Sequence, residues 1–194
     1  TVICWGRYIY LDKDEREYFA KKSHDILITQ VNRSAVSSAS TYEFALSQPV
    51  KYIAFESNNY TSVYGSGQAP LSAQATNLLQ FKMQINGNDI GETRSLYHWS
   101  DINQYYMTPF GYKPLNGINT TANVAIVPFC LDTSKLQPTG TLNFSRIDTF
   151  RLITPNASNF SFILKNPPSG RFFYAVNYNV LRIQNGMAGI LYAS

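Results

Sequence analysis

Short β-prone runs with a period of two, each cut off by Pro, Gly or Asn, recur along nearly the whole chain and constrain its fold more than any other feature. Tyr42, Phe44 and Leu46 alternate with Glu43, Ala45 and Ser47, the pattern of a strand with one buried face. Gln48-Pro49 interrupts the run, and Val50–Phe55 follows as a second strand. Phe81, Met83 and Ile85 alternate with Lys82, Gln84 and Asn86, and Asn86-Gly87 then marks a tight hairpin turn whose central residues need positive φ. Further strands are predicted at Tyr8–Tyr10, Asn123–Val127, Leu142–Arg146, Phe150–Ile153, Phe160–Leu164, Arg171–Ile183 and Gly189–Tyr192. Helical signals are few. Asp12 stands three residues before Glu15, a capping-box-like start for a helix over Arg16–Lys22. Arg94–Tyr105 is a weaker candidate, without a clean apolar stripe. Ser57–Ala75 and Tyr105–Thr121, rich in Gly, Pro and small polar residues, are expected to be exposed loops. The pattern predicts an all-β fold, an eight-stranded antiparallel jelly-roll β-sandwich with short helices in its loops.

The composition fits a chain with a substantial core and an unusually neutral surface. Hydrophobic residues make up 44% and charged residues 14%, against roughly 25% charged in ordinary soluble domains. The 14 Tyr suit a surface packed against neighbours, where Tyr is enriched and Lys and Glu are depleted. They also suit any β-rich domain. The net charge of +4 is spread out, Lys21-Lys22 being the sole adjacent basic pair, so the clustered patch expected of a nucleic-acid binder is missing. Cys4 and Cys130 have neither metal-ligand spacing nor a C-x-x-C arrangement and are expected to be free thiols. No apolar run is long enough to span a membrane, and no signal peptide is visible. The opening Thr1–Tyr10 resembles entry into the middle of a strand, as expected of a piece of a longer chain.

Candidate chemistry is sparse. His24 and His98 are the two histidines, whereas a jelly-roll metal site needs two or three imidazoles and a carboxylate on one ion. Asp12, Asp14, Glu15 and Glu17, interleaved with Lys13 and Arg16, suit helix capping and solvation. Gly65-Ser66-Gly67 lacks the Lys-Ser/Thr ending of a phosphate loop. Six Asn-x-Ser/Thr matches begin at Asn32, Asn59, Asn119, Asn143, Asn156 and Asn159. Asn59 and Asn119, in predicted loops, are the accessible candidates for glycosylation, and Asn143, between the core candidates Leu142 and Phe144, is the first to discount. No catalytic residue, metal ligand or cofactor is assigned. Beside a structural role, two classes stay open: a jelly-roll carbohydrate- or receptor-binding module using Trp99 or Tyr105 as an aromatic platform, and a cupin-like metal enzyme.

Several segments, in order, resemble one family. Tyr8–Arg16 with Phe19-Ala20, the strand Asp25–Val31, Gln48–Lys51, Gln84–Asp89, Gln137–Asp148, and the ending Asn177–Arg182 with Gly186–Gly189 are similar to blocks of the major capsid proteins of nucleocytoplasmic large DNA viruses. Together they span about residues 8 to 192, and Gln137–Asp148 is the longest. Lys13, Glu17 and Tyr18 depart from the family's usual Thr and Arg, a change on an exposed turn.

The resemblance implies the C-terminal portion of a double jelly-roll capsid protein. Residues 1–22 would be the last strand of the first jelly roll plus a connector, and residues 23–194 the second jelly roll. Three subunits would form a pseudo-hexagonal capsomer, tiling an icosahedral shell over an internal membrane that the protein does not span. The implied partners are the protein itself as a homotrimer, neighbouring capsomers and minor capsid proteins, without direct nucleic-acid contact. The implied location is the virion capsid, assembled in the infected host cell cytoplasm. Tyr105, Tyr106, Phe110 and Tyr112 form an aromatic cluster suited to intersubunit contact, or else to covering the end of their own barrel. Pro138-Thr139-Gly140 has turn chemistry, Phe144 and Ile147 are expected to anchor the chain around Arg146, and Arg146 with Asp148 forms a candidate local ion pair.

Overall fold

The computed structural model describes residues 3–35, 40–57, 80–95, 98–108, 123–154, 172–185 and 187–192. In chain order they form helix α1 (Lys13–Lys21), strands β1 (His24–Ala35), β2 (Thr41–Glu43), β3 (Pro49–Ser57), β4 (Gln80–Ile85) and β5 (Asn88–Ser95), a π-helical turn (His98–Ile102) and helix α2 (Asn103–Met107). Strands β6 (Asn123–Pro128) and β7 (Leu142–Asn143), a 3-10 turn (Phe144–Arg146), β8 (Phe150–Ile153), β9 (Phe172–Gln184) and β10 (Met187–Ile190) follow. One sheet has the order β1-β9-β3-β6, with β10 added on β9 and β7 on β3, and the other has the order β2-β8-β4-β5. Eight of the ten described strands thus make two four-stranded paths whose crossovers are those of a jelly roll. The chain divides into two compact units, Thr29–Tyr178 and the pair of segments Thr1–Ile28 with Asn179–Ala193.

The larger unit is built on alternation. Tyr42, Phe44, Leu46 and Gln48 turn inward while Glu43, Ala45 and Ser47 stay exposed, so the period-two pattern continues after the ladder of β2 has ended. Phe55, Phe81, Phe150, Phe173, Ile53, Leu152 and Val50 are fully buried. The rings make an aromatic seam between the sheets. Phe173 of β9 lies 5.0 Å from Phe44 and 4.8 Å from Tyr42, and Phe55 of β3 lies 5.7 Å from Phe81 of β4. Such tilted and edge-on pairs add to the area they bury.

Polar ties close the ends of this seam. Asn86 and Gly87 take φ of 48° and 83°, the hairpin turn that the dipeptide predicts. Asn86 Oδ1 also accepts the N–H groups of Asp148 and Thr149, both at 3.0 Å, while its own N–H donates to Thr149 O at 2.9 Å. Asn32 Nδ2 donates to Asn177 Oδ1 at 3.3 Å, and Asn177 Nδ2 donates in turn to Gln48 Oε1. This amide relay links β1, β9 and the entry to β3. Lys51 is an additional residue in β3, since Val50 pairs with Asn177 and Tyr52 with Val176. The bulge re-aims its side chain into the interior. There the buried amine donates to Lys135 O at 2.5 Å.

The smaller unit is organised by its termini. Asp12 Oδ1 caps α1 by accepting the Glu15 N–H at 2.9 Å, as the sequence spacing predicts. α1 begins at Lys13, earlier than expected, and buries no residue. Asp25 of β1 and Arg182 of β9 are joined by two bonds, at 2.8 and 2.7 Å. Those bonds hold the Asp25 carboxyl below its ordinary value, burial opposing them more weakly. The β9–β10 hairpin turns through Asn185 at φ 52°, and Asn179 clamps Tyr192 by donating to its carbonyl at 2.8 Å and accepting its N–H at 3.3 Å.

Four further expectations change. Tyr8–Tyr10 forms no ladder, and residues 3–12 have no regular structure, with Trp5 90% and Tyr10 94% exposed. A strand needs a partner for its backbone groups, and none of the described strands pairs with it. Leu142–Arg146 is a strand only to Asn143, because Asn143 Oδ1 captures the Ser145 N–H at 3.1 Å and turns the chain into a 3-10 turn. Phe144 is nonetheless buried and Ile147 packs against the core, as expected. Arg94 and Ser95 end β5, so the helical stretch starts at His98. Arg146 and Asp148 are both exposed, and no ion pair joins them. Phe160–Leu164 lies outside the described residues, as do most of the two predicted loops.

Three outcomes are expected. Phe173→Ala empties the centre of the seam and lowers unfolding free energy by about 3–5 kcal/mol in a denaturant titration. Asn86→Ala costs about 1–3 kcal/mol through two lost bonds and a strained positive φ, and Asn86→Gly costs less because it removes the bonds alone. The folded pKa of Asp25 lies below its unfolded value, so its bond to Arg182 stabilises above the unfolded value and that contribution is lost as pH falls through the folded one. Asp25→Asn therefore flattens the fall of Tm on the acid side, below about pH 4, and an unchanged slope would refute the linkage.

Candidate assembly surface

The aromatic cluster predicted for contact divides at the edge of the described residues. Tyr105 and Tyr106 lie on α2, while Phe110 and Tyr112 fall outside, as do the sequon residues Asn59 and Asn119. α2 is short, and its position comes from anchors around it. Trp99, in the preceding π-helical turn, is 5% exposed, stacks on Phe81 at 4.7 Å and donates through Nε1 to Arg94 O at 3.3 Å. Asn103 is buried and donates to Ile126 O at 3.1 Å. At the other end Met107 O accepts both the N–H and the hydroxyl of Thr133, at 2.7 and 2.9 Å. Between these anchors Tyr105 and Tyr106 are 57% and 69% exposed, edge to face at 5.0 Å. Two exposed rings on an anchored stretch of backbone suit contact with another surface.

Other candidates resolve differently. Trp99 is a core residue, so it offers no platform to a sugar. His98 is packed edge-on against Trp99 at 5.4 Å, and burial followed by the nearby Arg94 charge pushes its pKa below the ordinary value. His24 Nε2 lies 3.0 Å from Phe19 O. Asp12 is a helix cap, and Glu17 pairs with Lys21 at 3.2 Å. Cys4 and Cys130 are both free, and burial raises the Cys130 thiol above its usual pKa. Among the described residues no three His, Cys, Asp or Glu side chains gather in a way that could hold a metal ion. Asn143 is exposed between the half-buried Leu142 and the buried Phe144, with its Oδ1 accepting from both the N–H and the hydroxyl of Ser145.

The outer faces of the two sheets differ in chemistry, which the sequence reading missed. On β2-β8-β4-β5 the outward positions carry Glu43 with Arg151 at 2.8 Å and Lys82 with Asp89, a solvated, charge-paired face. On β3, β6 and β9 within the larger unit, the positions alternating with the core set carry Tyr52, Ala54 and Glu56, Val124 and Ile126, and Tyr174 and Val176, with Glu56 paired opposite Val124 and Ile126 itself buried. The mostly apolar character of these positions was visible in the strands, but only their registers show that they share one face.

Similarity to known proteins agrees with this picture. The family model described as large eukaryotic DNA virus major capsid protein matches residues 15–189. The major capsid protein of Paramecium bursaria Chlorella virus 1 is 30% identical over 245 residues, covering all of this chain and 54% of that protein. The major capsid protein of Pyramimonas orientalis virus is 29% identical over 203 residues, covering 96% of this chain and 48% of its own length. The chain thus spans about half the length of the curated relatives it matches. In structure, a quasi-atomic model of the PBCV-1 virus capsid superposes with a TM-score of 0.64 at 28% identity, over 96% of this chain and 56% of that one. The Faustovirus major capsid protein, at 14% identity and a TM-score of 0.54, shares the fold. A family match running from residue 15 to 189, on a chain folded as a jelly roll, means that this chain belongs to the major capsid protein family of large eukaryotic DNA viruses.

Proposed function

We propose that this chain is the second jelly roll of a double jelly-roll capsid subunit, acting through protein contact and not through catalysis. One observation carries the reading: two four-stranded sheets in jelly-roll order occupy a chain that matches 54% of a capsid relative. A polypeptide of the relative's length has room for a second barrel of the same size. Residues 1–22 then serve as the last strand of the first jelly roll and a connector, and residues 23–194 as the second jelly roll. The exposed, β-prone Trp5, Tyr8 and Tyr10 suit a strand whose ladder partner lies in that first barrel. Three subunits close into a pseudo-hexagonal capsomer, and capsomers tile an icosahedral shell in the virion over an internal membrane. Assembly takes place in the host cytoplasm, with minor capsid proteins as further partners and no direct contact with nucleic acid. No described helix is long and apolar enough to cross a membrane. Tyr105, Tyr106, Phe110 and Tyr112 face a neighbouring subunit, and Asn59 and Asn119 are the sequons open to glycosylation.

A carbohydrate-binding module is less well supported, because the burial of Trp99 leaves Tyr105 as the sole aromatic platform of the two considered. The test is the mass of the full-length capsid polypeptide in solution. Light scattering is expected to give three subunits per particle, and a monomer at every concentration would overturn the capsomer. Tyr106→Ala with Phe110→Ala is expected to weaken the trimer by about tenfold or more, as hot-spot aromatic losses do. An unchanged association constant would return these rings to the role of covering their own barrel.

A further inference from the structure

We infer that the π-helical turn and α2 guard the open edge of β6, and that this guard keeps one copy of the chain from adding a strand to the sheet of another. The inference goes beyond the capsid-subunit reading and does not depend on it.

β6 is a strand on which an open edge is hazardous. It ends the order β1-β9-β3-β6, so among the described strands only β3 pairs with it. Its residues, Asn123-Val124-Ala125-Ile126-Val127-Pro128, carry no charge and include three β-branched side chains. An uncharged, β-prone edge is a template for the strands of other molecules. The other sheet ends on strands blunted by simpler means. β2 has three residues, and β5 carries Asp89, Glu92 and Arg94 and passes through Gly91 at φ 72°.

The ladder tells which backbone groups of β6 face outward. In an antiparallel pair, residues that bond the partner strand alternate with residues whose N–H and C=O point away from it. Phe129, just past β6, donates its N–H to Lys51 O of β3 at 3.0 Å. Counting back by two, Val127 and Ala125 also face β3, opposite Ile53 and Phe55. Pro128, Ile126 and Val124 therefore turn their backbone to the open edge. The Asn103 side chain agrees with this count, since its Nδ2 reaches Ile126 O at 3.1 Å from outside the ladder. An incoming strand would meet an occupied acceptor at Ile126 and, two residues on, a proline with no N–H to donate.

The guard is held by more than this one bond. The π-helical turn and α2 both lie against β6, and Asn103 is 8% exposed. Trp99 fixes the start of the stretch by stacking on Phe81. Thr133, in the 129–140 segment that joins β6 to β7, fixes its end through Met107 O. The amide that occupies the edge is thus delivered by backbone anchored on both sides of it.

The test compares the full-length capsid polypeptide with Asn103→Ala, with Pro128→Val, and with both. Pro128→Val restores an outward N–H and removes no hydrogen bond, so it probes the edge even where Asn103→Ala unsettles the fold. Light scattering over a dilution series is expected to show association beyond that of wild type, beginning for the double variant at about tenfold lower concentration. Hydrogen-exchange mass spectrometry of the associated material is expected to show added protection concentrated in residues 123–128. Leu152→Ala, a core substitution in β8 of the other sheet, controls for lost stability. A double variant as dispersed as wild type, association that protects 123–128 no more than other strands, or the same protection in Leu152→Ala would each overturn the guard.

Discussion

A two-layer β-sandwich exists only if one face of each layer is removed from water, and the aromatic seam does this here. Phe173 stands at its centre, against Tyr42 and Phe44 from the opposite sheet and Phe55 from its own. The sheets are strung from short strands, some of two to four residues, which could not persist as isolated ladders. Phe150 joins the seam from β8, a strand of four residues, and Phe44 lies just past the end of β2. Large rings let so little backbone hold two layers together, because each removes a large apolar area per residue ordered.

Around the seam, small amides and one buried lysine make several of the hydrogen bonds that cross long stretches of sequence. Gln48, Asn177 and Asn32 pass a chain of amide bonds through one end of the sandwich. Lys51, displaced inward by a bulge, fixes the 129–140 segment, whose further bond from Thr133 reaches α2. The segments that carry Tyr105, Tyr106, Leu131 and Leu136 are thereby tied to buried groups.

Much of the fold was legible because alternation reports burial directly. The run from Tyr42 to Gln48 alternates in the structure as it does in the sequence, even where the ladder has ended. What was not legible falls into two kinds. β5 buries almost nothing and contains Gly91 at positive φ, so beyond the Asn86-Gly87 turn it has no periodic signal to show. Local side-chain chemistry overrode propensity at Asn143, where an amide oxygen diverts the backbone after two residues of strand. For the candidate contact surface, the Tyr105–Tyr106 pair was visible as composition. The exposure of Leu131 and Leu136, 75% and 63%, carried no such signal, since nothing in a sequence tells an exposed leucine from a buried one.

The bond from Asn86 to the backbone of Asp148 and Thr149 has a further consequence. Gln84–Asp89 and Gln137–Asp148, separated by nearly fifty residues, are two of the blocks that resemble the capsid family, and here the tip of the first grips the end of the second. They act as two halves of one clasp. Exchange of either block between related capsid genes would bring together halves shaped for different counterparts, so recombination that respects the fold should carry the two as a linked pair, with everything between them.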